Sequence, residues 1–255
     1  MTTWEDSNQS AIHFFDQQCQ RMKLRCEGTT RVLDFGCGAG ALVRSMRALG
    51  YDARGCDTWG QYAVKAPDDT SLREIEMNPY RVPYEDSFFD VVVSTSVFEH
   101  AQNKEECFRE IHRVLKPGGV AMHVVPGKWY LPTEPHIYVP LVSWIWPNVP
   151  RWWLGLWAWL GVRNEYQTGK PWREVLELNA AFCERGLSYW STSRYREVSD
   201  GIFGRHEYPM RWWIEEGGGG FNRLIQRLPR FLWGAAGVIA REFRMGVLVQ
   251  HKVKP

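Results

Sequence analysis

Residues 34–40 read Asp-Phe-Gly-Cys-Gly-Ala-Gly. Glycine lacks a Cβ, so a run this dense lets backbone amides approach a ligand closely and turn where other residues strain. Where such a run follows a strand and opens a helix, the helix N-terminus adds further donors. Gly36, Gly38 and Ala41 satisfy the Gly-x-Gly-x-x-Ala version of the dinucleotide fingerprint, and Asp57 stands 21 residues after Gly36, where a ribose-binding acid would sit. Asp34 separates the ligand classes. A carboxylate two residues before the first glycine repels a pyrophosphate, but it accepts hydrogen bonds from a cationic amino group. A ligand carrying an ammonium group is therefore expected ahead of NAD, and a nicotinamide oxidoreductase stands as the lesser alternative.

The elements that must hold this loop follow from apolar periodicity. Ile12, Phe15, Cys19, Met22 and Cys26 mark an amphipathic helix over residues 7–27. A strand over Arg31–Phe35 leads into the loop, and residues 41–49 form a helix with Leu42, Val43, Met46 and Leu49 on one face, stopped by Gly50. Strands are expected at 51–56, 72–77 and 88–95, the last with the apolar run of a strand buried on both faces. Asn103 and Glu106 form a capping-box-like pair before a helix with Phe108, Ile111, Val114 and Leu115 inward, ended by Pro117, Gly118 and Gly119. A strand at 120–125, a helix at 172–185 stopped by Gly186 and a strand at 245–253 complete an α/β alternation with a mostly parallel sheet. The chain reads as one domain over 1–255. Its core lies at about 30–126, 170–200 and 245–253, and two rim insertions at about 130–167 and 201–244 form an aromatic-rich cap.

Val32-Leu33-Asp34-Phe35-Gly36-Cys37-Gly38-Ala39-Gly40 resembles the first motif of the class I S-adenosylmethionine-dependent methyltransferases, of the type 11-like kind. The resemblance covers roughly residues 30–126. It implies a Rossmann-like fold, a seven-stranded sheet with helices on both faces, and S-adenosylmethionine as cofactor. It also implies that Asp34, Gly36, Cys37, Gly38 and Gly40 hold the methionine part, and that Asp57, with Thr58 beside it, binds the ribose hydroxyls, for which an ionised carboxylate is the natural acceptor. Residues 78–90 resemble the family's loop before strand four. Asn78 there would accept from the adenine amino group, and Pro79 stands where a backbone N–H is usual, which proline lacks. Ser94 and Thr95 resemble the strand end that lines the cofactor, and Leu-Lys-Pro-Gly-Gly at 115–119 the turn before strand five.

Methyl transfer from a sulfonium is an in-line displacement, so the protein mainly aligns donor and acceptor and, for an oxygen or nitrogen acceptor, removes a proton. His100 and His136 are the candidate bases, being histidines near the C-terminal strand ends. Glu99-His100 is similar to the Glu-His pair of quinone O-methyltransferases. Because Ser96 replaces that pair's further acid, no metal is expected. A catalytically silent cofactor-fold binding subunit is the main alternative to an enzyme.

With 255 residues, 44% hydrophobic, 24% charged and a net charge of +2, the composition is that of an ordinary globular chain. From Arg205 onward nine Lys/Arg face four Asp/Glu, so that stretch is +5 and the rest −3. The chain lacks a concentrated basic face and an Asn/Asp-Pro-Pro-Tyr signature, so no nucleic-acid partner is expected. Six cysteines without a Cys-x-x-Cys pair and a start without a signal-peptide pattern point to the cytoplasm. Trp144, Trp146, Trp152, Trp153, Trp157 and Trp159 crowd into sixteen residues, and between residues 139 and 162 the only charge is Arg151. Residues 221–240 set Leu224, Ile225, Leu228, Phe231 and Leu232 beside Arg223, Arg227 and Arg230, with Pro229 splitting the helix. Both stretches suit peripheral contact with an anionic membrane or a lid over the active site, and both point to a small-molecule acceptor that is apolar or lipid-linked, bearing a hydroxyl.

Overall fold

A computed structural model describes residues 4–24, 29–59, 70–217 and 220–254, with Cys26 outside that set. In chain order the elements are α1 (Trp4–Arg21), β1 (Arg31–Phe35), α2 (Ala41–Ala48), β2 (Asp52–Asp57), β3 (Leu72–Glu74), β4 (Glu76–Met77), β5 (Tyr80–Arg81), β6 (Phe89–Thr95), α3 (Lys104–Val114) and β7 (Leu115–Pro126). They continue with α4 (Val142–Ile145), α5 (Arg151–Trp159), α6 (Trp172–Ala181), α7 (Thr192–Phe203), β8 (Gly204–Glu207), α8 (Met210–Glu216), α9 (Gly220–Gln226), α10 (Trp233–Phe243) and β9 (Met245–Lys252). Seven strands form one sheet in the order β3-β2-β1-β6-β7-β9-β8, and β4 and β5 form a separate hairpin. Pairing is parallel from β3 through β7, and β9 runs antiparallel to both β7 and β8. The strand order reverses between β1 and β6, whose paired residues include Asp34 and Val93. In an open parallel sheet the ligand crevice lies beyond the carboxyl ends of the strands at such a reversal. One of these ends carries the glycine loop and the other leads to Glu99 and His100.

Successive side chains of a strand point to opposite faces, and here both faces are covered. Val32, Val91 and Val93 pack with α1, α2 and α8, where Phe14 meets Trp213 edge-on at 5.2 Å. Leu33, Phe35 and Val92 pack with α3 and α7, against Phe108, Ile111, Tyr195 and Phe203. Each fully buried Val, Leu or Phe contributes about 1.5–3 kcal/mol relative to exposure. A third cluster joins Ile137, Val139, Val142 and Leu154 to Cys183, Leu187 and Tyr189.

Three expectations are corrected. Residues 201–244 were expected as a rim insertion, yet β8 extends the sheet, and Met210, Trp213, Ile214, Ile225, Trp233 and Ala240 belong to the first core. Helix α6, expected in the core, packs on α5 as part of the third cluster, because its half-buried Leu176 and Ala180 join the tryptophan segment there. Asn103 does not cap α3 through its side chain: its amide donates to Glu106 Oε2 at 2.9 Å instead.

Candidate active site

The loop after β1 is turned by glycines in the left-handed region, with φ of +78° at Gly36, +50° at Gly38 and +77° at Gly40. Gly36 and Cys37 donate their amides to the Cys56 carbonyl at 2.8 and 3.1 Å, which ties the loop to the end of β2. A Cβ on Gly36 would lie 2.3 Å from Val97 Cγ2, so only glycine lets the segment after β6 close over the loop. A Cβ on Gly38 would meet nothing within 4 Å, which leaves open space at the loop's crest. Asp57 Oδ2 accepts from the Gly38 amide and Oδ1 from the Thr58 amide, both at 2.7 Å, and the Trp59 indole donates to the Gly38 carbonyl at 2.9 Å. Cys37 is buried, and Asp34 is 4% exposed. Burial, reinforced by the charge of Asp57, raises the Asp34 carboxyl to about 8.

Not every expected residue comes to this loop. Ser94 is fully buried, and its hydroxyl bonds to His123 Nδ1 at 2.7 Å, in a chain that continues through Gln250 to Ser199. Burial pushes His123 down to about 3, so this network is neutral, and Ser94 braces the sheet from its other face instead of lining a ligand. Thr95, one residue on, is half-buried at the strand end. Asn78 and Pro79 form the exposed tip of the β4–β5 hairpin, which is anchored beside Asp57 by the Ile75 amide donating to the Asp57 carbonyl at 2.9 Å.

His100 and His136 meet although 36 residues separate them, with Nε2 to Nε2 at 3.2 Å. His100 follows a turn after β6, and its Nδ1 donates to the Gly186 carbonyl at 2.6 Å. His136 sits in a loop wound around Glu134, a carboxylate with no exposure. Glu134 Oε2 accepts the amides of His136 and Ile137 at 2.7 and 2.8 Å, while Oε1 accepts from His136 Nδ1 at 2.7 Å and from the Tyr189 hydroxyl at 3.3 Å. With each Nδ1 committed as a donor, the neutral rings turn two Nε2 lone pairs toward each other. A proton or cation held between them makes that approach favourable. Burial opposes protonation of His136, but the carboxylates of Glu134 and Glu99 outweigh it and hold His136 above the usual imidazole range. Phe182 packs against both rings, and the His136 side chain keeps 35% of its surface open.

Residues 33–123 match the methyltransferase domain family. Over 103 residues the chain is 35% identical to sterol 24-C-methyltransferase erg6 of Schizosaccharomyces pombe, covering 36% of this chain and 26% of that protein. Residues 33–123 are a methyltransferase domain of the class I S-adenosylmethionine-dependent kind. Ubiquinone biosynthesis O-methyltransferase of Rickettsia bellii is 28% identical to this methyltransferase domain over 100 residues, 36% of this chain and 40% of that one. The chain thus spans well under two thirds of the length of these relatives. The Haloferax volcanii protein solved in complex with the Trm112 methyltransferase activator shares the methyltransferase fold, with a TM-score of 0.50 over 98% of this chain and 94% of that chain at 16% identity.

The residues present fit the methyltransferase cofactor, S-adenosylmethionine. The space over Gly38 has no side chain to displace, Asp57 keeps a second lone pair on each oxygen, and Asp34 is a buried acid suited to a cationic partner. The expectation of no metal rested on Ser96, which is exposed; the fold also brings a ring nitrogen of His136, from a different loop, to Glu99 and His100. Two further members of the site, Glu134 and the Gly186 carbonyl, were not assigned from the sequence. Glu134 carried a usable signal, an acid two residues before a candidate histidine.

Proposed function

We propose that this protein transfers the methyl group of S-adenosylmethionine to a hydroxyl of an apolar or lipid-linked small molecule. The observation that carries the reading is the His100–His136 pair, partly open to solvent and fixed from behind by a buried carboxylate, beside the switch point of a methyltransferase sheet. When bound, the cofactor supplies an electrophilic methyl on a cationic sulfur. The chain's residues do the rest. In the proposal Asp34 holds the cofactor's amino group, Asp57 its ribose, and the open crest at Gly38 admits it. Cys37, Gly40, Thr58, Asn78, Pro79 and Thr95 remain proposed cofactor contacts. Methyl transfer to the acceptor oxygen, with the sulfur leaving as a neutral thioether, would release the hydroxyl proton, and this chain's residues would take it up. The hydroxyl proton passes to His136 Nε2, is shared with His100 and is stabilised by Glu134.

The tryptophans support an apolar acceptor in two ways. Trp146 and Trp153 face inward and donate to the Cys183 and Pro140 carbonyls at 3.0 and 2.8 Å, walling the His136 loop with apolar rings. Trp152 and Trp159 are 69% and 66% exposed on α5. Among the described residues no helix is long and apolar enough to cross a membrane. Exposed tryptophan favours a lipid interface, so these two rings are proposed to touch an anionic bilayer, as are exposed Leu224, Leu228 and Phe231 between Arg223, Arg227 and Arg230. Trp152→Ser with Trp159→Ser is expected to weaken cosedimentation with phosphatidylglycerol vesicles by about tenfold and leave the thermal midpoint in place. Equal vesicle binding by this variant would remove α5 from the contact.

The function itself is tested by mixing the protein with methyl-labelled S-adenosylmethionine and an extract of the source organism, then separating organic from aqueous products. Label in the organic phase, lost in Asp57→Ala, is the expected result. Label confined to the aqueous phase would overturn the apolar acceptor, and no label in any product would favour a silent binding subunit.

A further inference from the structure

We infer that Glu99, His100 and His136 form a binding site for one divalent cation of the zinc class. A carboxylate oxygen of Glu99 and one ring nitrogen from each histidine lie within 4.8 Å of one another. Two imidazoles and a carboxylate are a common three-ligand set for zinc sites that keep a fourth position open. The spacing between the rings agrees: two nitrogens about 2.0–2.1 Å from a tetrahedral zinc stand about 3.3 Å apart, and the Nε2 atoms here are 3.2 Å apart.

Three further observations point to a cation. Nδ1 of His100 donates to the Gly186 carbonyl and Nδ1 of His136 to Glu134, so both rings aim a lone pair into the same gap. Metal-bound histidines are held in this way by a carboxylate or carbonyl behind the ring. Glu99 is 3% exposed, and its Oε2 has no hydrogen-bond partner, although a buried unsatisfied carboxylate oxygen is costly. The rest of the Glu99 residue is fixed, since its carbonyl accepts the Ser188 amide at 2.6 Å and so anchors the segment from behind. A cation would satisfy Glu99 Oε2 and both lone pairs at once, filling the gap that a shared proton otherwise fills. The half-buried histidines leave one side open, toward which an oxygen ligand could add. Resting on the methyl-transfer reading, that ligand is the acceptor's hydroxyl; a bound cation would occupy both Nε2 lone pairs and take over the part of His136, acidifying the hydroxyl so that its proton leaves to solvent.

The full-length protein, stripped with a chelator and dialysed, is titrated with zinc chloride by calorimetry and with cobalt(II) by visible absorption. One equivalent per chain is expected, with intense tetrahedral-type cobalt absorption. His136→Ala and Glu99→Gln are each expected to weaken binding by about 100-fold or more, while S-adenosylhomocysteine affinity, read on the same samples, stays unchanged and reports that the variants fold. No saturable binding, or equal binding by both variants, would overturn the site. Because binding is read without turnover, failure here leaves methyl transfer standing, and failure of methyl transfer leaves the cation site standing.

Discussion

Asp34→Asn is expected to weaken S-adenosylmethionine binding by about 10–100-fold at pH 9 and by much less at pH 6, while making the free protein more stable. The cause is one buried carboxyl. Burial and then the Asp57 charge raise it from 3.8 to about 8, so in the free protein it is mostly protonated at neutral pH. Contact with the cofactor's ammonium group requires the ionised form. Below about pH 8 the proton must therefore leave on binding, and each pH unit costs about 1.4 kcal/mol. Wild-type affinity is expected to rise about tenfold per pH unit from pH 6 to 8 and to level off above. The sign for stability is opposite to that of an ion-paired acid. Because the folded value lies above the unfolded one, the free protein is stabilised by this group below about pH 4 and loses that advantage as pH rises toward 8. Asparagine does not titrate, so the variant should melt higher near neutral pH, by about 2–4 °C for each kcal/mol recovered. Calorimetry from pH 6 to 9 on both proteins checks the first part. A wild-type affinity independent of pH would mean that Asp34 does not meet the cation.

The readability of this site in the sequence follows the range of the forces involved. The glycine loop was legible because its cause is local: φ near +78° at Gly36 restricts that position to glycine whatever surrounds it. Strand β6 was legible as buried on both faces, but a period of two does not say which face a given residue joins. Ser94 was therefore read toward the ligand and lies toward His123. The segment around Pro229 looked like a membrane-surface helix because its charges and apolar residues are interleaved. Only the fold shows that Ile225 and Trp233 complete the first core while Leu224 and Phe231 stay outside. The histidine pair needs two chain segments to meet, and no spacing within either predicts that. In the sequence Glu99 is an ordinary acid beside a histidine; only the fold buries its Oε2 without a partner.

Glu134→Gln should leave a folded, cofactor-binding protein with turnover lowered by about 10²–10⁴-fold. The carboxylate is fully buried and does two jobs with two oxygens. Oε2 takes the amides of His136 and Ile137, and Oε1 takes the Nδ1 proton of His136. Glutamine has one oxygen, and keeping both amides satisfied puts it in the place of Oε2, because two unpaired buried N–H groups would cost more than one altered contact. Its amide nitrogen then faces His136 Nδ1 as a donor. The ring must shift its proton to Nε2, and that atom becomes a donor aimed at the lone pair of His100. The pair is then well satisfied and inert, with no lone pair on His136 to accept an acceptor's proton or a cation. Transfer of label to an extract, S-adenosylhomocysteine affinity and the thermal midpoint are measured on the same preparation. Turnover near the wild-type value would show that His136 does not act through Nε2. A loss matched by unfolding would show that Glu134 only supports the loop. If His136→Ala costs no more than Glu134→Gln, and the double variant no more than either, the two residues act as one unit whose working atom is Nε2.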